Sequence, residues 1–188
     1  MQDDLFSATG TPPKAHRLFF ALLPDEAQRR ALAACVERLH GHFPGARWVR
    51  PQRWHLTLHY LGESAGPRED WIARAIEAGG DLHASGFEQE LDRLRALGNP
   101  RNPALTLSGE ASSPGMDAFW QALRQRLLQA GFRLSARGFV PHLTVAYVPP
   151  GPQLPPIAPV ALRFDAFHLL QSVEGQAEYD TLGSWRLG

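Results

Sequence analysis

Two short segments of this chain carry the same reactive pattern. His55-Leu56-Thr57-Leu58 and His142-Leu143-Thr144-Val145 each set an imidazole two residues before a hydroxyl. On a strand, residues i and i+2 share a face, so His55 and Thr57 point one way and Leu56 and Leu58 the other; His142 and Thr144 repeat this against Leu143 and Val145. An imidazole and a hydroxyl about 7 Å apart at Cα reach one phosphate together, and two such strands facing each other flank it from opposite sides. Water attack on a cyclic phosphate needs a base on one side and an acid opposite, at the departing sugar oxygen. Paired histidines meet that need near neutral pH, because an unperturbed pKa of about 6.5 allows one to be neutral and the other protonated. The threonine hydroxyls are suited to donate to the non-bridging oxygens as charge develops there. Either segment alone is an ordinary amphipathic strand; the duplication is what points to chemistry.

A zinc site is the chemical rival, since histidines are common ligands. His59 follows His55 on the same face of a regular strand, but four residues of about 3.3 Å each set their Cα atoms ~13 Å apart, too far to share an ion. The chain has no H-E-x-x-H, no C-x-x-C and no dense carboxylate cluster, so no metal and no cofactor are expected. His40 and His42 close a helix, His16 and His83 fall in polar stretches, and His168 lies in a late strand. No G-x-S-x-G, Walker loop or dinucleotide fingerprint occurs.

The elements that must position the two segments repeat with them. The motifs lie 87 residues apart (142 less 55), and upstream the same offset takes Leu18 to Leu105, Phe20 to Leu107, Leu32 to Phe119, Val36 to Leu123 and Arg50 to Arg137. Tyr60 maps to Tyr147 beyond the motifs. Each half reads strand, helix, loop, strand: Arg17 to Leu23 then a helix over 25–39, and Ala104 to Leu107 then a helix opened by Pro114 and stopped by Gly131. Between them the pattern predicts a helix over 68–78 and a strand over 87–94; after them, strands over 161–171 and 179–187 follow a stiff linker, Pro149 to Pro159, with six prolines. Mixed, non-alternating elements point to an α+β fold with mainly antiparallel sheets.

Composition narrows the partners. The 188 residues, 44% apolar, suffice for one domain with a sizeable core, and 19 basic residues balance 19 acidic ones, which argues against a charge-driven binder of long nucleic acid. Eighteen of the basic residues are Arg; Lys14 is the single Lys. The lone Cys35 excludes an internal disulfide and sits at helical spacing with Leu32, Val36 and Leu39, as a core thiol does. Residues 1–15 lack the basic and apolar regions of a signal peptide, and no apolar run reaches membrane-spanning length. The expectation is a cytoplasmic protein with a flexible arm over 1–15 and one two-lobed domain over 16–188.

With these residues in view, the sequence resembles the two-histidine phosphoesterase superfamily, specifically the bacterial RNA 2',3'-cyclic phosphodiesterases historically called 2'-5' RNA ligases. The likeness runs from Arg17 onward through RLFFALLP, WVRPQRWHLTLHYLGE, RGFVPHLTVAYV and the closing Ser172, Gly175, Tyr179, Leu182 and Trp185. It implies two pseudo-symmetric lobes, each a mainly antiparallel sheet with flanking helices, and an active site in the cleft between them. It implies His55 as general acid toward O3', His142 as general base for water, and Thr57 and Thr144 as phosphate donors. The substrate it implies is RNA ending in a 2',3'-cyclic phosphate, or a cyclic nucleotide, opened to a 2'-phosphate by a monomer; some members also join or cleave 2'-5' linkages.

One position departs from the family pattern. Many relatives carry Arg where this chain has Tyr147; Arg137 is a candidate phosphate-binding substitute for it, with a plain surface residue as the alternative reading. Phe19, Phe20 and Tyr147 are candidates to contact a base. Two other readings remain open: a two-histidine esterase for another cyclic phosphate such as an ADP-ribose derivative, and a non-catalytic RNA-end binding module, against which the intact histidine pair argues.

Overall fold

The computed structural model describes residues 14–80, 82–136 and 138–188. Most of residues 1–15, and Arg137, therefore lie outside the described residues. The elements follow in the order β1 (His16–Leu22), α1 (Glu26–Glu37), β2 (Arg47–Trp48), β3 (Leu56–Ser64), α2 (Glu69–Gly80), β4 (Phe87–Leu91), β5 (Arg93–Leu97), β6 (Ala104–Ser108), α3 (Pro114–Gln129), β7 (His142–Tyr147), β8 (Val160–Phe164), β9 (Ala166–Val173) and β10 (Asp180–Arg186).

Local chemistry sets the helix ends. Asp25 accepts from the backbone N–H of Gln28 while the Gln28 side chain accepts from the Asp25 N–H, a reciprocal cap that starts α1. Ser113 caps α3, Pro114 occupies its first turn, and Gly131 at φ +82° ends it, with its N–H and that of Phe132 donating back to Leu128 and Leu127.

The strands form two antiparallel lobes of like topology, β3-β1-β9 and β7-β6-β5, with β10 added outside β9 and β2 paired to β7. The lobes join where β3 meets β7 at one pair, Leu56 opposite Leu143. One face of this surface carries the main core: Leu22, Leu56, Leu107 and Leu143 are fully buried beneath α1 and α3, which contribute Leu32, Cys35, Phe119 and Leu123. The opposite face is the cleft, floored on one side by the small cluster of Phe19, Ala21 and Leu170.

The strands expected over 87–94 and 161–171 are each two strands. Each breaks at an aspartate: Asp92 separates β4 from β5, and Asp165 separates β8 from β9. Asp92 is paired to Arg93 at 2.9 Å and its N–H donates to the Ser108 carbonyl; Asp165 is paired to Arg163 at 3.0 Å and its carbonyl accepts from Leu187. The half-strand before each break lies outside its lobe and pairs with its counterpart, β4 with β8, in a register running from Phe87–Phe164 to Leu91–Val160. One strand from each lobe thus clasps the two together behind the cleft. The proline-rich linker before β8 runs as irregular surface chain.

The repeat also carries a slip. Leu22 lies opposite Leu56, and Leu107 lies opposite Leu143, so β1 and β6 correspond at an offset of 85 (107 less 22) while the motifs correspond at 87. Leu22 and Phe20, rather than Phe20 and Leu18, are the partners of Leu107 and Leu105. A two-residue slip keeps every side chain on its own face, so the packing survives it.

Candidate active site

The Leu56–Leu143 pair brings the two motifs side by side. Continued antiparallel register sets His55 across from Thr144 and Thr57 across from His142, so the imidazoles occupy one diagonal of a square and the hydroxyls the other. The two leucines point into the core and are fully buried, whereas all four polar side chains are part-exposed on the cleft face. Thr57 and Thr144 line the cavities on both sides of this square. One, of about 830 Å³, includes His142; the other, of about 570 Å³, includes His55.

Each motif is followed at once by a bulge. Thr57 and His59 lie opposite consecutive residues Ala21 and Phe20, so Leu58 is extra; Thr144 and Ala146 lie opposite Thr106 and Leu105, so Val145 is extra. The insertions fall at the same place in both lobes and change the face that later residues take, as bulges do beside functional sites. His59 is therefore not on the face of His55. It is buried in the core, stacked on Trp120 at 4.7 Å with Nε2 3.0 Å from the Trp120 carbonyl, while Trp120 Nε1 donates to the Leu58 carbonyl at 2.8 Å. This reciprocal lock between α3 and the bulge fixes the bend just past Thr57.

Both imidazoles are oriented by the same contact. His55 Nδ1 lies 2.8 Å from the Arg53 carbonyl and His142 Nδ1 lies 2.7 Å from the Val140 carbonyl, each two residues upstream. A carbonyl only accepts, so Nδ1 carries hydrogen in both rings and Nε2 is left to take up or give the proton. In the neutral form Nε2 is a base; in the protonated form it is an acid.

The surroundings of the two rings differ. His55 forms a triangle of rings with Phe19, 5.2 Å away, and Tyr179, 5.1 Å away and near-perpendicular, and the Arg53 guanidinium lies over the Tyr179 ring at 4.1 Å. Arg53 is itself held by the Gln176 and Ala177 carbonyls and the Ser172 hydroxyl. Burial, and secondarily the charges of His142 and Arg53, push the His55 pKa down to about 4, against the raising effect of its bond to the Arg53 carbonyl. At neutral pH this favours the uncharged ring.

The other sequence candidates divide sharply. Phe20 is fully buried among Phe167 and Trp185 and is no base contact, because the β1 alternation sends Leu18, Phe20 and Leu22 to the core and Phe19 and Ala21 to the cleft. Phe19 reaches the site, but as a buried wall for His55. Tyr147 lines the His55-side cavity with the Arg47 guanidinium 4.6 Å over its ring. Among the described residues, no three His, Cys, Asp or Glu side chains are grouped to hold a metal ion, and no helix is long and apolar enough to cross a membrane.

A model of the 2'-5' RNA ligase superfamily matches residues 23–176, most of the chain and both motifs. The chain belongs to that superfamily. Similar curated proteins are the RNA 2',3'-cyclic phosphodiesterases of Archaeoglobus fulgidus, 28% identical over 70% of this chain and 72% of that protein, and of Thermotoga maritima, 26% identical over 70% of each. Among solved structures, Escherichia coli LigT in complex with 3'-AMP superposes with a TM-score of 0.75 at 26% identity, covering 92% of this chain and 98% of LigT. A Thermus thermophilus protein superposes at 0.67 with 27% identity, covering 91% and 97% of the two chains.

Within this 2'-5' RNA ligase superfamily member, several contacts that shape the site had no sequence signal of their own. The carbonyls of Arg53 and Val140 are backbone atoms, visible only as the residues two before each histidine. Tyr179 was visible in the family pattern but not its place against His55, which a hairpin distant in sequence supplies, and the Trp120 lock is a tertiary contact.

The buried histidines make stability depend on pH. His59, lowered to about 4 mainly by burial, behaves as His55 does. Both native pKa values lie below the unfolded value near 6.5, so the stabilisation is complete above pH 6.5 and is lost as pH falls toward 4, by up to roughly 3 kcal/mol for each group. Asp70 and Asp92, lowered by their hydrogen bonds to Arg68 and Arg93 respectively, stabilise the fold above about pH 4 and lose that contribution only below it, outside this window. Urea unfolding at pH 7, 5.5 and 4.5 is expected to show midpoints that fall across this window, less steeply in His59→Gln; a flat midpoint from 7 to 4.5 contradicts the buried-neutral assignment.

Proposed function

We propose that this protein hydrolyses RNA 2',3'-cyclic phosphate ends to 2'-phosphate ends by acid-base catalysis, without a metal ion. The carrying observation is the diagonal pair of imidazoles, each with Nδ1 fixed to a carbonyl and Nε2 left for proton exchange, with two hydroxyls on the other diagonal. The names of the Archaeoglobus and Thermotoga relatives support the same substrate.

The roles follow from water access. His142 opens on the larger cavity beside part-exposed Val140, where a water molecule can enter; His55 is walled by Phe19 and Tyr179. Neutral His142 takes a proton from water as its oxygen attacks phosphorus. The P–O3' bond breaks in line, and His55, protonated in the anion-bound complex, gives its Nε2 proton to O3'. Thr57 and Thr144 donate to the non-bridging oxygens. Exchange with solvent restores both imidazoles.

Chromatography of a 2',3'-cyclic-ended oligonucleotide after incubation is the direct test. A 2'-phosphate product, formed equally with and without EDTA, is expected. Loss of activity on chelation with recovery on adding metal, in protein that stays folded, defeats the metal-free mechanism.

A further inference from the structure

The two halves of the cleft are related by the repeat, yet their linings have diverged. Positions 87 apart pair Arg47 with Leu134 and Arg53 with Val140, while Arg50 pairs with Arg137; the cavity on the His55 side is edged by Arg47, Arg50 and Arg53, and the one on the His142 side by Arg124 and Arg133. Arg53 is consumed in holding the β9–β10 hairpin and Tyr179. Arg47 and Arg50 are exposed: Arg47 lies over Tyr147, and Arg50 makes one bond, to the Ala177 carbonyl at 3.2 Å. Arg17, Arg68, Arg93 and Arg163 all pair with carboxylates, but among the described residues Arg47 and Arg50 pair with none. The cavity they edge, about 570 Å³, continues from Thr57, Thr144 and His55 and exceeds what one phosphate fills.

We infer that Arg47 and Arg50 form a subsite for a second phosphate of the substrate, one ribose away from the cyclic phosphate held by the two motifs. This rests on the proposed function and narrows it: the preferred substrate is a cyclic end that carries a further phosphate, as a 5'-monophosphate or an internucleotide diester, rather than a bare nucleoside cyclic phosphate. The chemistry fits the residue type. Guanidiniums bind phosphate through forked, charge-assisted hydrogen bonds, and the Tyr147 ring beneath Arg47 holds its plane without neutralising it.

The experiment compares three substrates: adenosine 2',3'-cyclic phosphate, the same compound bearing a 5'-phosphate, and a cyclic-ended dinucleotide. For the unaltered protein, kcat/KM is expected to be higher by roughly 10-fold or more for whichever form supplies the phosphate, as one or two charge-assisted contacts imply. The preferred arm distinguishes monoester from diester. In Arg47→Gln and Arg50→Gln the ratio to the bare substrate should fall several-fold toward one. The advantage should also shrink with added salt. Equal kcat/KM for all three substrates overturns the subsite. So does a uniform loss in Arg47→Gln and Arg50→Gln with the ratio unchanged, which would place these guanidiniums on the reacting phosphate instead. Absence of turnover on every substrate refutes the hydrolase reading, and the subsite falls with it.

Discussion

His55→Ala and His142→Ala should each lower kcat/KM on a cyclic-ended oligonucleotide by about 10² to 10⁴, and the double substitution should cost less than the product of the two. In the proposed mechanism each ring carries one proton transfer of a single in-line step, so neither compensates for the other. Once one transfer is lost, the other has less left to accelerate. Alanine also removes the Nδ1 bond to the Arg53 or Val140 carbonyl, 2.8 and 2.7 Å long, and could loosen the loop before each motif. Asparagine separates the two effects, because its amide can donate to that carbonyl but exchanges no proton near neutral pH. His55→Asn and His142→Asn should be as inactive as the alanine variants while matching the unaltered protein in urea midpoint. Near-normal turnover in either asparagine variant removes that histidine from the chemistry.

The square of candidate site residues was legible because it is written in residue types. Histidine and threonine at i and i+2, twice, between core leucines, leave few other uses for that pattern, and the strand period alone puts all four on one side. What surrounds the square was legible only in part. The slip of β1 against β6 was invisible because two residues preserve the alternation that periodicity reads. The bulges at Leu58 and Val145 are made by apolar residues that look like any strand position, and they alone decide that His59 faces Trp120 rather than the cleft.

The broken strands failed for a related reason. Asp92 and Asp165 each interrupt an otherwise continuous β pattern by pairing with a neighbouring arginine and turning the chain toward the other lobe, and no local propensity encodes which partner a half-strand will choose. β2, two residues long, is below any periodic signal, yet it brings Arg47 over Tyr147. Sequence therefore exposed the candidate reacting groups, and tertiary pairing supplied the contacts that orient them and give the cleft its unequal sides.

Replacing the departing O3' by sulfur should restore the activity of His55→Asn by about 10² or more and leave His142→Asn impaired. A thiolate leaves without help at neutral pH, since thiol pKa values near 8.5 are far below those of a ribose hydroxyl; the acid's contribution to that step disappears. The base still has to activate water, so its loss is not repaired by a better leaving group. The expected direction rests on the walls of the site: Phe19 and Tyr179 shield His55 from the water that attacks, whereas His142 borders the larger open cavity. It also rests on charge. Burial lowers the His55 pKa to about 4, so in the proposed mechanism the ring takes up its proton beside the substrate's anion and delivers it from the bound complex. The reciprocal result, rescue of His142→Asn with His55→Asn still impaired, would exchange the two roles while keeping the in-line mechanism. Rescue of neither variant would show that leaving-group protonation is not what either imidazole supplies, and would leave electrostatic stabilisation of the phosphate as their part in catalysis.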